Sequence, residues 1–386
     1  MATPYVTKWY RFTALAAVVG VLGVAIYTWQ SSRQTLESIN AGEGVEEQKA
    51  GLTLQNVTLE QPDENGNLLW KVKAKEVTYS PDQQIADIKV VEGEFYQDDK
   101  PIYKVKGDRG IIDQEGREFV LEGNVVATGI DSNVTLRGQK LEWQPKQDLL
   151  LVENSIEGTH PQLKAKAQIA RLYNKAQRLE LEGGVVASTL QEPWFGMQAT
   201  AMTWHIEQER IETQQGLKVE QFRGKDDPTV VDRVTGRRGE VKLDKNTVRL
   251  AEAVKLELLE QEPVVATSSV AFWNLEAETI VIDAPVQVQQ PEQQVTVTAS
   301  QARMDLKQQL INFMGDVRAI AAKDSSQLTA NRLTWQIESQ DVEAIGNVIY
   351  RQQNPATVVT GKRANGNLDR QTVVVSGGDV VTEITP

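Results

Sequence analysis

The chain has 386 residues and carries 53 acidic and 41 basic side chains, so its net charge is −12. It contains no cysteine and only two histidines, His160 and His205. This excludes a disulfide scaffold, a thiolate metal site and a cysteine nucleophile, and it leaves zinc and haem with few ligands. The acidic balance argues against a general nucleic-acid binder, because such modules carry a basic excess. We therefore predict no metal, no cofactor and no nucleic-acid partner.

The N-terminal region predicts a membrane anchor. Residues 12–29 form an uncharged, largely apolar stretch with aromatic residues at both ends, long enough to cross the hydrocarbon of a bilayer as a helix. A cleaved signal peptide is the alternative, but the end of the stretch lacks a small-x-small cleavage site. Lys8 and Arg11 precede the stretch and acidic residues follow it, which predicts that residues 1–11 are cytoplasmic and the bulk of the chain lies outside. Residues 30–50 are polar and indicate a linker.

The rest of the chain is an internal repeat of about 31 residues, in which a small residue is followed five positions later by a large apolar one. The clearest copies pair Gly138 with Trp143 and Ala330 with Trp335. The small residues are Ala74, Gly107, Gly138, Ala167, Ala199, Gly236, Ser268, Ala299, Ala330 and Gly361. Four of the eight tryptophans, Trp143, Trp204, Trp273 and Trp335, occupy the same slot. Repetition on this scale indicates stacked copies of one supersecondary unit.

A Gly-polar-Val signal follows the small residue of many copies at a constant distance, as in Gly123-Asn124-Val125 and Gly315-Asp316-Val317. This chemistry fits a two-residue hairpin turn. It also fits a bend within one long strand, where glycine permits close backbone approach. Because the copies at Ala253 and Pro285 lack the turn chemistry, we favour the bend.

Within each repeat the apolar residues alternate with polar ones, which predicts strands with one buried face rather than helices. Ten repeats of two strands, with an opening strand over residues 52–59, predict about 20 strands. A flat sheet of that width is unfavourable, so we expect two facing sheets in a long, open, antiparallel all-β arrangement. Such a stack keeps an exposed edge at each end, where another protein can add a strand.

The anchor, the linker and the repeated small-x4-large … Gly-Asn-Val pattern together resemble the LptC family of the lipopolysaccharide export machinery, and its soluble relatives of the LptA, or OstA-like, group. The resemblance covers residues 8–386. It implies a β-jelly-roll, also called a β-taco, that is anchored in the inner membrane and lies in the periplasm. Ordinary members have about half this β region, and long forms are associated with cyanobacteria. Residues 51–190 then correspond to an LptC-like jelly roll and residues 191–386 to an LptA-like extension of it.

The resemblance also implies a function without catalysis. The protein accepts lipopolysaccharide from an inner-membrane ABC transporter, holds its acyl chains in an apolar groove, and passes it to an LptA-like or LptD-like jelly roll by edge-to-edge pairing. Residues 52–59 would face the transporter and residues 372–384 the next jelly roll. The candidate edge residues are Leu52, Leu54, Val57, Val373, Val375 and Val380.

The candidates for the groove are the inward positions of the strands and the tryptophans of the repeated slot. They are Phe119, Leu121, Val125, Trp143, Leu179, Leu181, Val185, Trp204, Ile211, Leu250, Trp273, Ile280, Ile282, Ile311, Phe313, Val317, Trp335, Val342 and Val348. The tryptophans contact acyl chains or are ordinary core, and the interior is a hollow groove or a filled core. A filled core would make the protein an envelope scaffold or adhesin without a lipid ligand. No nucleophile elbow, phosphate-binding loop or complete calcium loop is present, and we predict no enzyme.

Overall fold

The structure is a computed structural model that describes residues 52–80, 85–113, 119–260, 263–353, 355–378 and 380–385. Residues 51–386 cluster as one compact unit. The predicted anchor at 12–29, its cytoplasmic flank at 1–11 and the linker at 30–50 lie outside the described residues. Within the described ranges, no helix is both long enough and apolar enough to cross a membrane.

The described residues form 26 antiparallel strands in one sheet and a single short 3-10 helix at Pro145–Gln147. The first half of the chain contains β1 (Thr53–Pro62), β2 (Leu68–Tyr79), β3 (Ile85–Gln97), β4 (Lys100–Asp113), β5 (Phe119–Gly129), β6 (Thr135–Gln144), β7 (Leu149–Thr159), β8 (Leu163–Tyr173), β9 (Arg178–Thr189), β10 (Phe195–His205), β11 (Arg210–Thr213), β12 (Leu217–Phe222) and β13 (Val230–Gly236). The second half contains β14 (Arg238–Lys242), β15 (Thr247–Leu258), β16 (Val264–Asn274), β17 (Thr279–Ile282), β18 (Val286–Gln290), β19 (Val295–Ala299), β20 (Gln301–Asp305), β21 (Leu310–Ala321), β22 (Ser326–Gln336), β23 (Asp341–Gln352), β24 (Ala356–Asn367), β25 (Thr372–Ser376) and β26 (Val381–Thr385).

The strand count agrees with the repeat once interrupted strands are joined. Five pairs of short strands, β11–β12, β13–β14, β17–β18, β19–β20 and β25–β26, lie end to end against a shared neighbour. Counting each pair as one long strand leaves 21, which is two strands for each of ten repeats and one opening strand. The expectation of two separate sheets is wrong: one continuous sheet is bent along a crease, and its two halves face each other.

The crease is made by the Gly-polar-Val signal, which forms a bend inside a long strand and not a hairpin turn. Gly123 and Asn124 both have positive φ, of 73° and 45°, in the middle of β5. They oppose a single residue of β6, because the register moves from Glu122↔Lys140 to Val125↔Gly138. Two residues opposite one define a β-bulge, which bends the strand. The same pair of positive φ values recurs at Gly315 and Asp316 in β21, and at most other copies.

The small residues of the repeat lie on the neighbouring strand beside this bend. Ala330 pairs with Val317, Gly361 with Val348 and Gly138 with Val125. A Cβ atom added at Gly138 would lie 2.7 Å from Val152 Cγ1, which is closer than real Cβ contacts. The concave side of the crease therefore has room only for small side chains, which explains why each repeat keeps one.

Aromatic side chains from the two halves meet in the interior. We call half A the part of the sheet that ends in the turns at 145–148, 174–177, 206–209, 243–246, 275–278, 306–309, 337–340 and 368–371. Half B is the part that ends in the turns at 63–67, 98–99, 130–134, 160–162, 190–194, 223–229, 291–294 and 322–325. Phe95 of half B stacks on Trp143 of half A with ring centroids 5.5 Å apart. Phe195 of half B and Trp273 of half A make an edge contact at 5.9 Å. These contacts hold the halves face to face around one continuous apolar core.

Candidate functional site

The structure brings the predicted groove residues together in the interior between the halves. Eighteen of the nineteen candidates are buried, and Val342 is partly buried against the same core. Leu121, Ile280, Ile311 and Phe313 have no exposed surface at all. They come from strands as far apart in the chain as β5 and β21, because each repeat adds its inward positions to the same core.

The interior is filled along most of its length. The cavities that touch the apolar core around Trp204 and Trp335 measure about 20 Å³ and about 70 Å³. Neither volume accommodates an acyl chain, because pockets for drug-sized ligands begin at roughly 300 Å³. In this state the inward residues around these cavities pack against one another and leave no space for an acyl chain between the two halves.

The tryptophans of the repeated slot are buried just inside the turns of half A. Trp143, Trp204, Trp273 and Trp335 are 0–5% exposed. Trp204 makes an edge contact with the ring of His160, which lies in a turn of half B, at 4.8 Å. Burial lowers the pKa of His160, while the charge of Glu209 acts in the opposite direction.

The open side of the fold, opposite the crease, is a mouth between two rows of turns, which we call rim A and rim B after their halves. Hydrogen bonds between described side chains of the two rims bridge the mouth. The Gln97 amide donates to Asp148 Oδ1 at 2.7 Å and accepts from Asn174 Nδ2 at 2.8 Å. Gln162 Nε2 donates to Glu209 Oε2 at 3.0 Å. Gln293 Nε2 donates to Asp369 Oδ1 at 2.7 Å. The rims are thus held together by polar contacts, each of modest net strength.

Rim A contains a second periodic feature that sequence reasoning missed. An aliphatic residue lies two positions after the slot of the large apolar residue in each of these repeats. Its backbone N–H donates to a carbonyl of the preceding turn of rim A. Examples are Ile206 to Gln177, Leu275 to Asn246 and Ile337 to Gln309, at 2.8 to 2.9 Å. The complete row is Ile206, Leu243, Leu275, Leu306, Ile337 and Leu368. These side chains are buried or partly buried and close the apolar interior beneath the mouth. Their spacing of 31 to 37 residues is the signal that could have found them.

A cavity of about 550 Å³ lies in the mouth near the N-terminal end of the sheet. Its wall combines rim B residues such as Asn67 and Tyr96 with Trp143, Lys146 and Lys175 of half A. Its lining is mixed, because Asp63, Glu64 and Asp98 also contribute to it. It is therefore a polar opening above an apolar floor rather than a site for one sign of charge.

The outer face of the sheet is charged and paired across strands. Arg109 donates to both carboxylate oxygens of Asp87, and this hydrogen bonding holds the pKa of Asp87 below its usual range. Arg233 Nε donates to one carboxylate oxygen of Glu220, Oε1, at 2.8 Å. The Arg109–Asp87 pair is exposed, and exposed pairs contribute little individually, whereas Glu220 of the second pair is buried. One acid behaves differently: burial raises the pKa of Asp232, at the mouth side of β13, to about 7, helped by the charges of Glu260 and Glu278.

The two ends of the sheet leave strand edges without a partner among the described residues. β1 pairs only with β2, and β25 and β26 pair only with β24. Of the predicted edge residues, Leu52, Val373 and Val380 are exposed, whereas Leu54, Val57 and Val375 are partly buried. Val374, which was not among them, is 64% exposed. Both edges therefore present apolar side chains beside unpaired backbone, as a surface for strand addition does.

The described residues thus form an open antiparallel jelly roll with an apolar interior, a polar mouth and two free edges. The family model described as "Lipopolysaccharide-assembly, LptC-related" matches residues 14–151 and 278–379, which is more than half of the chain. The chain belongs to this LptC family, and the resemblance predicted from its repeats is confirmed.

Among solved structures, the chain is similar to the crystal structure of LptH, described as the LptA homologous periplasmic component of the conserved lipopolysaccharide transport device from Pseudomonas aeruginosa. The two are 11% identical with a TM-score of 0.29, and the match covers 33% of this chain and 95% of that one. No curated protein matches the chain.

Proposed function

We propose that the chain is a periplasmic lipopolysaccharide transfer protein that holds the acyl chains of its cargo between the two halves of the sheet. The observation that carries this proposal is the continuous apolar interior in a chain of the LptC family. A lipid with several acyl chains cannot cross water unaided, because each exposed methylene costs about 0.8 kcal/mol. An interior lined by aliphatic and aromatic side chains offsets that cost along the whole sheet.

Loading requires the mouth to open while the crease stays bent. The polar contacts across the mouth are few and near water, so breaking them costs little. The main cost is the loss of apolar contacts between the halves, and acyl chains inserted there would replace those contacts. The closed state is then the empty form of a carrier whose interior opens only around lipid.

The two ends of the sheet are proposed to set the route. Residues 12–29 anchor the protein in the inner membrane with residues 1–11 in the cytoplasm, the β1 edge receives lipid from the ABC transporter, and the β25–β26 edge passes it to an LptA-like or LptD-like jelly roll. Residues 51–190 form the LptC-like part and residues 191–386 the extension, and the continuous pairing of β9 with β10 supports passage between them. The transporter's ATP hydrolysis supplies direction, so this chain needs no catalytic residues.

The orientation of the anchor can be tested because the chain has no cysteine. A single cysteine at Thr3 should resist a membrane-impermeant maleimide added from the periplasmic side, and one at exposed Glu207 should react. Labelling of both positions would contradict the proposed orientation.

Lipid in the interior is tested by photo-crosslinking in the full chain inside cells. A photoreactive residue at buried Leu181 should yield an adduct with lipopolysaccharide, and one at Val186, which lies on the outer face of the same strand and is 50% exposed, should not. Absence of an adduct at Leu181, with the variant still active, would contradict the carrier function.

A second candidate is a scaffold of the cell envelope with a solid β core and no lipid ligand. The filled interior is the observation that favours it. The same crosslinking experiment separates the two, because a scaffold yields protein adducts at its edges and no lipid adduct at Leu181.

A further inference from the structure

The interior buries hydrogen-bond donors that no described residue accepts. The indole Nε1 atoms of five tryptophans and the hydroxyl of Tyr103 have no hydrogen-bond partner among the described residues. The five are Trp70, Trp143, Trp204, Trp273 and Trp335. A buried unpaired donor costs about 1–3 kcal/mol, and phenylalanine or leucine at these positions would avoid that cost. Six such donors in one apolar interior point to a ligand that brings acceptors with it.

Three of these donors gather at the N-terminal end of the interior. Trp143 is 1% exposed and forms part of the wall of the 550 Å³ cavity in the mouth. Tyr103, also 1% exposed, comes from half B and makes an edge contact with Trp143, with ring centroids 5.7 Å apart. Trp70 of half B joins the cluster through Phe119, at 5.3 Å. Burial raises the pKa of Tyr103, so its hydroxyl stays protonated and remains a donor.

The depth of these donors is informative. Trp143 lies two residues before the rim A turn that begins at Pro145, so its indole sits just inside the mouth. An amphiphile with its acyl chains in the interior and its headgroup outside places the linkage between them at this depth. In ester- and amide-linked acyl chains that linkage contains a carbonyl oxygen, which accepts hydrogen bonds. An ester linkage has no N–H group and therefore has no hydrogen-bond donor of its own.

We propose that Trp143 Nε1 and Tyr103 Oη donate hydrogen bonds to the linkage carbonyls of ester- or amide-linked acyl chains that enter through the mouth cavity. This rests on the proposed carrier function and adds a preference for the linkage. The mixed charges around the cavity make a site for the phosphate of a headgroup less favourable, because Asp63, Glu64 and Asp98 stand beside Lys146 and Lys175.

The same donor recurs along half A. Trp143, Trp204, Trp273 and Trp335 occupy the same slot on β6, β10, β16 and β22. They fall on every second repeat, four long strands apart, which at strand spacing is roughly 19 Å. A carbonyl that leaves one indole therefore reaches an equivalent donor at the next tryptophan of the row. The interior would then bind the linkage with similar strength along its length.

The test compares an ester with an ether. A didecanoyl glycerophospholipid and its didecyl ether analogue have matched chains, but only the first has linkage carbonyls. They are titrated into the full chain, kept in solution by an amphipathic polymer and labelled with 15N at the indole nitrogens. We expect the ester to bind about five- to thirtyfold more tightly and to move the Trp143 indole N–H resonance downfield, as formation of one or two hydrogen bonds requires.

Two variants remove donors with different structural consequences. Trp143→Phe removes the indole, and Tyr103→Phe removes only a hydroxyl and leaves the packing intact. Each should lower the ester-to-ether ratio, and both together should bring it near one. Trp194→Phe is the control, because Trp194 is partly exposed in a turn of half B and should leave the ratio unchanged.

The outcomes separate this inference from the function on which it rests. Lipid A is titrated in parallel. Two results would contradict the linkage site and leave the carrier function supported. In the first, lipid A binds but the ester-to-ether affinity ratio of the wild-type chain is one. In the second, that ratio is unchanged when both residues are substituted. If neither the glycerophospholipids nor lipid A bind, both the linkage site and the carrier function are contradicted.

Discussion

A buried acid in the mouth is expected to make the stability of the fold depend on pH. Asp232 lies at a small cavity with Glu260 and Asp305, and burial raises its pKa to about 7. Between pH 4 and pH 7 the folded chain binds this proton and the unfolded chain, whose pKa is near 4, has lost it. Folding stability therefore falls as the pH rises from about 4 to about 7. The shift limits this loss to at most about 4 kcal/mol. Asp232→Asn should therefore raise the melting temperature at pH 8 and change it little at pH 4.

The control for this prediction has the opposite sign. Hydrogen bonds from Asn367 and Ser339 lower the pKa of Asp341. Asp341→Asn should lower the melting temperature at neutral pH, and its effect should fade as the pH falls below 4. Equal responses of the two variants to pH would show that burial does not govern Asp232.

A charge placed in the interior tests the role of a single inward residue. Leu181 lines a small cavity beside Trp204 and is 7% exposed. Leu181→Arg should abolish lipopolysaccharide transport, because it puts an unpaired cation on the proposed acyl-chain path. Val186→Arg on the outer face of the same strand should leave transport intact. Cellular viability and surface lipopolysaccharide are the readouts, and circular dichroism checks folding. A folded Leu181→Arg protein with full transport would contradict the proposed path.

The long bent strand is the element that defines this fold, and one bend carries an unusual residue. Val90 in β3 has a φ of 51°, where the other bends with positive φ use residues without a branched Cβ, and it is 57% exposed. A β-branched residue is strained in this region by roughly 1–2 kcal/mol. Val90→Gly should therefore increase the free energy of unfolding by about 1 kcal/mol in urea denaturation.

The control for Val90→Gly is the same substitution at Val186. It is an exposed valine in a paired part of β9 and lacks a positive φ. Val186→Gly should destabilise the protein, because glycine weakens a regular strand. If both substitutions destabilised it equally, the bend at Val90 would store no strain.

At the scale of the whole molecule, the proposed carrier function requires the two rims to part. Cysteines at Gln162 and Glu209, joined by a short bifunctional maleimide, would tie the rims where their side chains meet at 3.0 Å. This link should reduce lipid loading severalfold, measured as lipopolysaccharide bound to the purified chain. A link between Gln162 and Leu190, neighbouring turns of rim B, should have no effect. Unchanged loading with tied rims would indicate that lipid enters elsewhere, for example along an open end of the sheet.

The ends of the sheet are tested by their ability to capture another jelly roll. A photoreactive residue at Val374, 64% exposed on the terminal strand β25, should crosslink to an LptA-like or LptD-like partner in cells. The same residue at Val186 is comparably exposed but lies in mid-sheet, and it should not. Capture at both positions would indicate a surface contact rather than strand addition at an edge.

Much of this architecture could be predicted from the sequence, because it depends on local periods. Alternation of two identified the inward face of each strand, so that Phe119, Ile280 and Phe313 are buried as predicted. The internal repeat predicted two long strands for each copy, and the missing turn chemistry at Ala253 indicated a bend. The aliphatic row of rim A has the same period and could have been found in the same way. The anchor, the linker and these repeats together carried the resemblance to the LptC family, which the family model confirms.

Other features could be determined only from the tertiary structure, because they depend on contacts between residues far apart in the chain. The bend could have separated two sheets or folded one sheet over itself, and the pairing of the same two strands on both sides of the bend shows one folded sheet. The rings that meet across the interior, such as Phe95 and Trp143, show that its halves face each other. The mouth is closed by pairs 47 to 77 positions apart, which no local pattern encodes. The filled interior, the proton of Asp232 and the unpaired indoles all follow from how closely the two halves approach, because burial is a property of both halves together and not of either strand alone.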